Sequence, residues 1–454
     1  MDYEIPNQFK RSKRKNTTEN EQNIVKINTW KCFYVERHLQ DILEHLKPEN
    51  YNSEEMKELI ELSRDYIIRL KLNQLQAPND NNTERIPLQA ILPALNNMKQ
   101  LNICFKQTYV GDDFSWHILQ TTPRDIENLG KGLEKCDLEV LRIINTDITC
   151  DKVTMLACHL STNKNLRVLD FSHCKIADKG IVALCKLLQE LPNLVELNLM
   201  NNFIESKGLE YLCYTLSKPD IKLKQLHLNL NNFGASGANF LARILVENTQ
   251  LVQLNLSACG LTTDNVALLI KALRTNSTLL HLDLSNNSLN ENIGDLFIKL
   301  LNSSNLTLQS LDLRMTLIPS ETMLMIDEIL NHPKRKSSYK YNKRLYKNFK
   351  DSSQLSDVNE NKNTTEVDDT TTELKDSSNE KDSNSFPPFH NVEDMENQVE
   401  NVFRVYLNTL KKELNDCCDE YYDENEDSAR SDAKQEELIE KSYQENSNSN
   451  GDHI

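Results

Sequence analysis

Leucine and isoleucine recur through the middle of the chain at a fixed interval. One copy of the pattern starts at Leu166 and continues with Leu169, Phe171, Cys174 and Ile176. The same spacing starts again at Leu194, Leu223, Leu251 and Leu279, with looser copies starting at Leu138 and Leu308. The interval between successive starts is nearly constant, at about 28 residues, which lies within the range of known repeat architectures. A period this regular indicates that one structural unit is stacked many times.

Each copy predicts a short strand followed by a helix. Alternating apolar positions mark a strand whose leucines all turn to one side. The stretch after it, for example Asp178–Leu188, is apolar at i, i+3, i+4 and i+7, which is typical of an amphipathic helix. Because one unit cannot bury its own leucines, we expect neighbouring units to stack into a parallel sheet with helices outside. The chain is therefore predicted to form an α/β leucine-rich repeat solenoid, a curved horseshoe of about seven repeats over residues 138–331.

Each full copy also carries an asparagine or a cysteine where the chain leaves the strand. A side chain at this place can form hydrogen bonds with backbone groups that a short strand leaves unpaired. These residues are predicted to form a structural ladder through the repeats: Cys174, Asn202, Asn231, Cys259 and Asn287.

The positions between the strand leucines are predicted to face the concave surface. In the middle of the strands they are mostly short and polar: Arg142, Asp170, Asn198, His227, Asn255, Asp283 and Asp312. Such a row is a candidate partner-binding surface. Asp or Asn at this place is also ordinary repeat sequence, and the residues alone leave both interpretations open.

The chain before the repeats is predicted to contain two parts. Residues 1–28 are polar with a basic run and are expected to be a disordered terminus, with nuclear import or nucleic-acid contact as the alternative. Residues 29–137 are expected to form a helical cap and a divergent first repeat. Helices are predicted from Trp30 to Leu46 and from Ser53 to about Leu75, and half of a repeat strand at Met98–Ile103.

An insertion interrupts the register before the first full repeat. The interval from Met98 to Leu138 exceeds one repeat period by roughly a dozen residues, and the excess contains Phe114 and Trp116. Large aromatic side chains in an insertion can anchor a partner. The alternative is that they plug a gap against the cap.

Charge is concentrated after the repeats. Residues 332–350 form a basic arm with interleaved aromatic side chains, which can contact nucleic acid, anionic lipid or an acidic protein face, or be a solvated linker. Residues 351–454 contain 28 Asp/Glu and 9 Lys/Arg and are expected to be a disordered acidic tail. Within it, residues 392–414 predict an amphipathic helix that docks on the repeats or on a partner, with Phe403 and Tyr406 as candidate contacts.

Composition argues against several classes of function. The 454 residues carry a net charge of −16; the tail alone carries −19, so the rest of the chain is slightly basic, and the 11 cysteines include no C-x-x-C pair. With no secretory signal or membrane-spanning run, reduced thiols in a cytosolic compartment are expected. The sequence offers no nucleophile–base pair, carboxylate–histidine cluster or glycine-rich phosphate loop. It therefore predicts no catalytic site, cofactor, metal or small-molecule substrate.

The repeats resemble those of ribonuclease-inhibitor-like proteins, and the flanking segments are more specific. The motif from Trp30 through Tyr34 to His38, the run Ser63–Leu70, and the insertion sequence Gly111–Trp116 resemble the dynein regulatory complex subunit 5 family. So do Thr122–Asp125 and the last repeat at Leu311–Arg314. The resemblance covers residues 29–335 and excludes the basic arm and the tail.

This resemblance implies a structural subunit of the nexin link between doublet microtubules in motile cilia and sperm flagella. The implied partners are other dynein regulatory complex subunits and doublet microtubules. The implied location is the axoneme, within the cytoplasm and cytoskeleton. Contact with a membrane is not expected, and neither is a nucleic-acid partner.

Two alternatives use the same repeats. A Ran GTPase-activating protein needs an arginine on an exposed turn, but the first turns, Asn145–Asp147 and His173–Lys175, carry none, and Arg142 and Arg167 lie on or beside strands. A soluble inhibitor or adaptor that uses only the concave face is the other alternative.

Overall fold

The computed structural model describes residues 35–44, 54–73, 75, 85–105, 121–248, 250–303, 305, 307–332, 389–401 and 404. Some predicted features lie outside this part of the chain. They are the disordered terminus 1–28, nearly all of the basic arm 332–350, most of the acidic tail, and the candidate contacts Phe114, Trp116, Phe403 and Tyr406.

Strands and helices alternate along the chain. The strands are β1 (Arg69–Leu72), β2 (Gln100–Ile103), β3 (Val140–Ile143), β4 (Val168–Asp170), β5 (Glu196–Asn198), β6 (Gln225–His227), β7 (Gln253–Asn255), β8 (His281–Asp283) and β9 (Ser310–Asp312). The helices are α1 (35–44), α2 (Glu54–Ser63), α3 (Leu88–Ala94), α4 (Pro123–Leu133), α5 (Cys150–Leu160), α6 (Ala177–Glu190), α7 (Ser206–Leu216), α8 (Gly234–Glu247), α9 (Thr263–Leu273), α10 (Glu291–Ser303), α11 (Ser320–Asn331) and α12 (392–401).

The strands form one open parallel sheet in which sequence order and spatial order are the same. One leucine of each strand lies beside the corresponding leucine of the next: Leu70, Leu101, Leu141, Leu169, Leu197, Leu226, Leu254, Leu282 and Leu311. All of these leucines are buried, whereas the flanking residues of β4–β8 are half-buried. This confirms the predicted leucine-rich repeat solenoid.

The helices cover the leucine side of the sheet. In α6 the buried residues include Ile181, Leu184 and Leu188, which recur at helical spacing. Consecutive helices from α3 to α11 pack on one another. The core is therefore a continuous apolar layer between sheet and helices, and none of the described helices packs on the other sheet face.

The predicted helix from Ser53 to Leu75 is wrong in its second half. Helix α2 ends at Ser63, whose Oγ donates to Leu59 O at 2.7 Å, and a turn leads into β1. In β1 the burial alternates with period two, since Leu70 and Leu72 are buried and Arg69 and Lys71 are exposed. The backbone of this segment pairs with β2 instead of continuing the helix, and the pairing places Leu70 beside Leu101 in the buried leucine row. The sheet therefore begins one strand before the predicted half-repeat.

A buried ion pair joins the segments on either side of the insertion. The Arg85 side chain is buried, with its Nε 3.6 Å from Asp125 Oδ2. Its Nη1 donates to Phe105 O at 2.6 Å, and its backbone N–H donates to Asp125 Oδ1 at 2.9 Å. Asp125 also accepts from Thr122 N at 2.9 Å and so caps α4. These contacts fix the point where the chain enters and leaves residues 106–120.

The chain divides into two compact units, Met1–Met395 and Glu396–Ile454. The predicted helix 392–414 is described only over 392–401 and at residue 404, which are helical. Among the described residues, none of the helices has the length and apolar character that crossing a bilayer requires.

Leu226→Ala is expected to lower the free energy of unfolding by about 2–5 kcal/mol, because a stacked core collapses only in part around the cavity. Leu226 is buried between Leu197 and Leu254. Urea denaturation measures the loss. The matched control is Leu324→Ala on α11, where the side chain is 63% exposed; an equal loss in both variants would contradict the packing described.

Candidate protein-interaction face

The seven predicted partner-binding residues of the repeats form one row across neighbouring strands. Arg142 lies beside Asp170, Asp170 beside Asn198, and Asn198 beside His227. The row continues through Asn255, Asp283 and Asp312. We call these seven residues, on the sheet face opposite the helices, the polar row.

Five of the seven side chains in the polar row also accept a hydrogen bond from the backbone of the turn that follows their own strand. Asp170 Oδ1 accepts from Ser172 N at 2.8 Å, and Asn198 Oδ1 accepts from Met200 N at 3.0 Å. Asn255, Asp283 and Asp312 accept in the same way from the backbone two residues ahead. This is the local side-chain-to-backbone bond that Asp and Asn favour at turns. The turn thus explains the residue type, because it requires a short acceptor but not a charge.

The two ends of the polar row differ in charge. At the β3 end, Arg142 Nη1 lies 3.5 Å from Asn102 Oδ1 on β2. At the β9 end, Arg314 forms an ion pair with Asp312 at 2.6 Å. The hydrogen bond from Arg314 lowers the pKa of Asp312, so this carboxylate stays ionised and is already partnered.

His227 lies in the middle of the row among carboxylates. Burial lowers the pKa of His227, although Glu196, Asp170 and Asp283 act in the opposite direction. Burial also lowers the pKa of His281, two strands away on β8. Both imidazoles are therefore neutral at pH 7. Among the described residues, no His, Cys, Asp or Glu group has the arrangement to hold a metal ion.

The five residues of the structural ladder lie at the exits of successive strands and link neighbouring repeats. Asn231 Nδ2 donates to Leu199 O in the preceding repeat at 2.9 Å and to Leu228 O in its own repeat at 2.8 Å. Its Oδ1 accepts from Asn202 N at 2.9 Å and from Ile204 N at 3.1 Å. Asn202 and Asn287 also donate to carbonyls of both repeats. One carboxamide thus satisfies four backbone groups at the junction of two repeats.

The two cysteines of the ladder make only some of the hydrogen bonds that the asparagines make. Cys174 Sγ lies 3.4 Å from Ile143 O, and Cys259 Sγ lies 3.3 Å from Leu228 O. Burial raises the pKa of both thiols to about 12. They are therefore protonated donors at neutral pH and poor nucleophiles.

A second asparagine ladder, missed by the sequence analysis, follows the helices. Asn248 Nδ2 donates to Leu216 O at the end of the preceding repeat's helix at 2.7 Å, while its Oδ1 accepts from Leu251 N at 2.7 Å. Asn276 and Asn305 make the same pair of contacts. The signal in the sequence is an asparagine three residues before the first leucine of a copy.

The turn after each strand from β3 to β9 contains a residue in the left-handed conformation, which the sequence analysis also missed. The fourth residue after each strand leucine from β3 to β9 has a φ of 49–60°: Asn145, His173, Asn201, Leu230, Ala258, Asn286 and Met315. Asparagine tolerates this conformation, but leucine and methionine are strained in it. Leu230 is 48% exposed and Met315 78% exposed, so burial does not compensate for their strain.

Asn231→Ala is expected to destabilise the chain by about 2–4 kcal/mol, because four buried backbone groups lose their partner. Asn231→Cys should lose less, since a thiol at this place in other repeats still reaches the carbonyls. Urea denaturation of both variants checks the order. Equal stability of the alanine and cysteine variants would contradict the ladder.

Stability is expected to fall as the pH drops below about 6.5, where the unfolded chain protonates His227 and His281 more readily than the folded chain does. Above that pH both states are neutral and these histidines contribute nothing. His227→Asn should reduce this acid sensitivity, because asparagine occupies the same row position at Asn198 and Asn255. Urea midpoints at pH 7.5 and pH 5 measure the effect; an unchanged difference in His227→Asn would contradict the assignment.

Comparison with known proteins identifies the repeats and a similar family. The Leucine Rich repeat family model matches residues 162–185, 190–213 and 220–242. Dynein regulatory complex subunit 5 of Macaca fascicularis is 27% identical over 182 residues, which cover 35% of this chain and 36% of that protein. The ribonuclease inhibitor of Sus scrofa is 34% identical over 138 residues, covering 30% of each chain.

Among solved structures, Leiomodin-1 Actin-Binding Site 2 aligns with 38% of this chain and 96% of its own length, at 21% identity and a TM-score of 0.32. The matched region spans only about a third of the length of dynein regulatory complex subunit 5. The chain is an α/β leucine-rich repeat solenoid that is similar in sequence to dynein regulatory complex subunit 5.

Proposed function

We propose that this chain is a non-catalytic scaffold subunit of the nexin-dynein regulatory complex, and that it contributes to ciliary and flagellar motility through protein contacts. The observation that carries the proposal is the unbroken polar row on a sheet face that no described helix covers. Seven strands in register at a spacing of roughly 4.8 Å make a surface about 29 Å wide. A surface of this kind suits a protein partner better than a small molecule.

The similarity to dynein regulatory complex subunit 5 supports the choice of complex. The proposed partners are other subunits of that complex and doublet microtubules, and the proposed location is the axoneme. The basic arm 332–350 is a further proposed contact. The aromatic side chains Phe114, Trp116, Phe403 and Tyr406 also remain proposed partner contacts.

The charge of the polar row favours a basic partner surface. Asp170, Glu196 and Asp283 lie close enough to His227 to influence its pKa, so the centre of the face is acidic. Asp312 adds little, because Arg314 already neutralises it. Electrostatic complementarity of this type gives orientation and specificity.

The geometry of Arg142 disfavours the Ran GTPase-activating alternative. That activity needs an arginine that reaches a bound nucleotide from a turn. Arg142 instead lies within β3, half-buried, with its guanidinium directed toward Asn102 on β2.

Location is the first test. A tagged full chain expressed in ciliated cells should stay with detergent-extracted axonemes, because a structural subunit is held by several contacts. Quantitative immunoblotting of the extracted and soluble fractions measures this. A chain found almost wholly in the soluble fraction would contradict the proposed function.

The double variant Asp170→Asn/Asp283→Asn is expected to weaken axonemal retention at least tenfold, on the order of 1.4 kcal/mol. Asparagine keeps the acceptor that Ser172 N and Ser285 N require and removes only the charge. The control is Asp295→Asn, which removes one exposed carboxylate from α10, on the helical side. Full retention of the double variant, with unchanged urea stability, would show that the polar row does not bind the partner.

A further inference from the structure

A short segment far along the chain lies against the outer surface of two repeat helices. Phe389 and His390 contact α7 and α8, some 180 residues earlier in the sequence for the pair His390–Glu210. Phe389 is only 6% exposed, and Met395, at the start of α12, is also buried. We call residues Phe389–Met395 the docking segment.

The Phe389 ring sits in an aromatic and cationic cluster. It packs edge-on against Tyr214 with a centroid distance of 5.5 Å, and stacks with Phe240 at 6.0 Å. The Arg243 guanidinium lies over the same ring, 4.3 Å from its centroid. Edge-to-face, stacked and cation–π contacts together define one ring position.

A polar contact fixes the residue next to it. His390 N donates to Glu210 Oε1 at 2.6 Å, and His390 Nδ1 lies 2.9 Å from the same oxygen. Asn391 then adopts a φ of 40°, and its Oδ1 accepts from Asp394 N at 3.4 Å, which starts α12. This turn lets Phe389 and Met395 bury their side chains only six residues apart.

The receiving residues differ from their counterparts in an adjoining repeat. Relative to the strand leucine, Phe240 and Arg243 of α8 occupy the same two places as Tyr211 and Tyr214 of α7. In α6 those places hold Ala183 and Lys186. The repeat fold therefore does not require aromatic side chains there, and their presence on two consecutive helices points to a binding role.

We propose that the surface of Glu210, Tyr214, Phe240 and Arg243 is a peptide-docking site. It accepts a segment in which phenylalanine is followed by a hydrogen-bond donor and, six residues on, by a methionine. The chain's own docking segment occupies it and thereby controls access to it. The stretch between His332 and Phe389 is long enough for this to occur in one molecule, since an extended chain of its length spans up to roughly 190 Å.

The test uses the full chain and a fluorescent synthetic peptide with the sequence of residues 386–401. Phe389→Ala/Met395→Ala removes both buried anchors from the docking segment and leaves every residue of the receiving surface intact. The peptide should bind this variant at least tenfold more tightly than the wild type, as measured by fluorescence anisotropy. Equal binding to the two chains, or no binding to either, would overturn the proposal.

Three controls test whether the effect is specific to the buried anchors and to the receiving surface. Val392→Ala changes an exposed residue of the same segment and should leave peptide binding at the wild-type level. A peptide carrying Phe389→Ala should not bind the Phe389→Ala/Met395→Ala chain. Adding Glu210→Ala to that chain should weaken its binding of the unaltered peptide. Circular dichroism should show the same folded repeats in all these chains, and urea unfolding of the double variant should show only the loss of the docked segment, about 1.4 kcal/mol for a tenfold effect. If the wild type instead sediments as a dimer that the double variant loses, the segment docks on a second copy and the assignment within one molecule is wrong.

Discussion

Each repeat depends on its neighbour because its strand is too short to satisfy either its leucines or its backbone. Strands β4–β9 contain three residues each. Leucine stacking buries the side chains, and two asparagine ladders bond the backbone where the chain turns. Asn231 serves the strand exit, and Asn248 serves the helix exit. Both side chains bridge two repeats, so the stack gains stability at its junctions and not within its units.

The same dependence between repeats explains which positions can change residue type without affecting the fold. In the polar row, the turn needs an acceptor, and Asp170 and Asn198 provide it equally well. Charge can therefore change along the face without affecting the fold, which is a useful property for a binding surface. On the helices, positions such as Phe240 and Arg243 are likewise outside the requirements of stacking. A solenoid of this kind can carry separate binding surfaces on its sheet and on its helices.

The sequence predicts the fold where the pattern is periodic and local. The leucines from Leu141 to Leu311 recur at almost constant spacing, so their strands and register follow directly from the pattern. At β1 the pattern instead predicts a helix, because the interval from Leu70 to Leu101 exceeds the repeat period and the next interval, to Leu141, is longer still. With that irregular spacing, the alternation of Leu70 and Leu72 is too short a signal by itself. Only pairing with β2 distinguishes the strand from the end of a helix.

The candidate sites also divide into features that the sequence pattern predicts and features that it does not. The placement of the polar row follows from the periodicity, but the hydrogen bond that Asp283 accepts from Ser285 N is visible only in the three-dimensional structure. The buried pair of Arg85 and Asp125 and the contact of Phe389 with Tyr214 join residues far apart in sequence. No local sequence pattern indicates such contacts, because the two partners lie 40 or more residues apart and neither segment by itself specifies the other.

Hydrogen exchange across the full chain tests the continuous stack most directly. If every repeat is held by its neighbours, the strand amides from Gln100 to Asp312 should be protected together, with protection decreasing only toward the ends of the stack. Protection at Leu101–Ile103 is the sensitive point, because these residues pair with β1 on one side and β3 on the other. Exchange there as fast as in an unfolded chain, with β4–β8 still protected, would contradict the account by showing that the stack does not extend to Arg69.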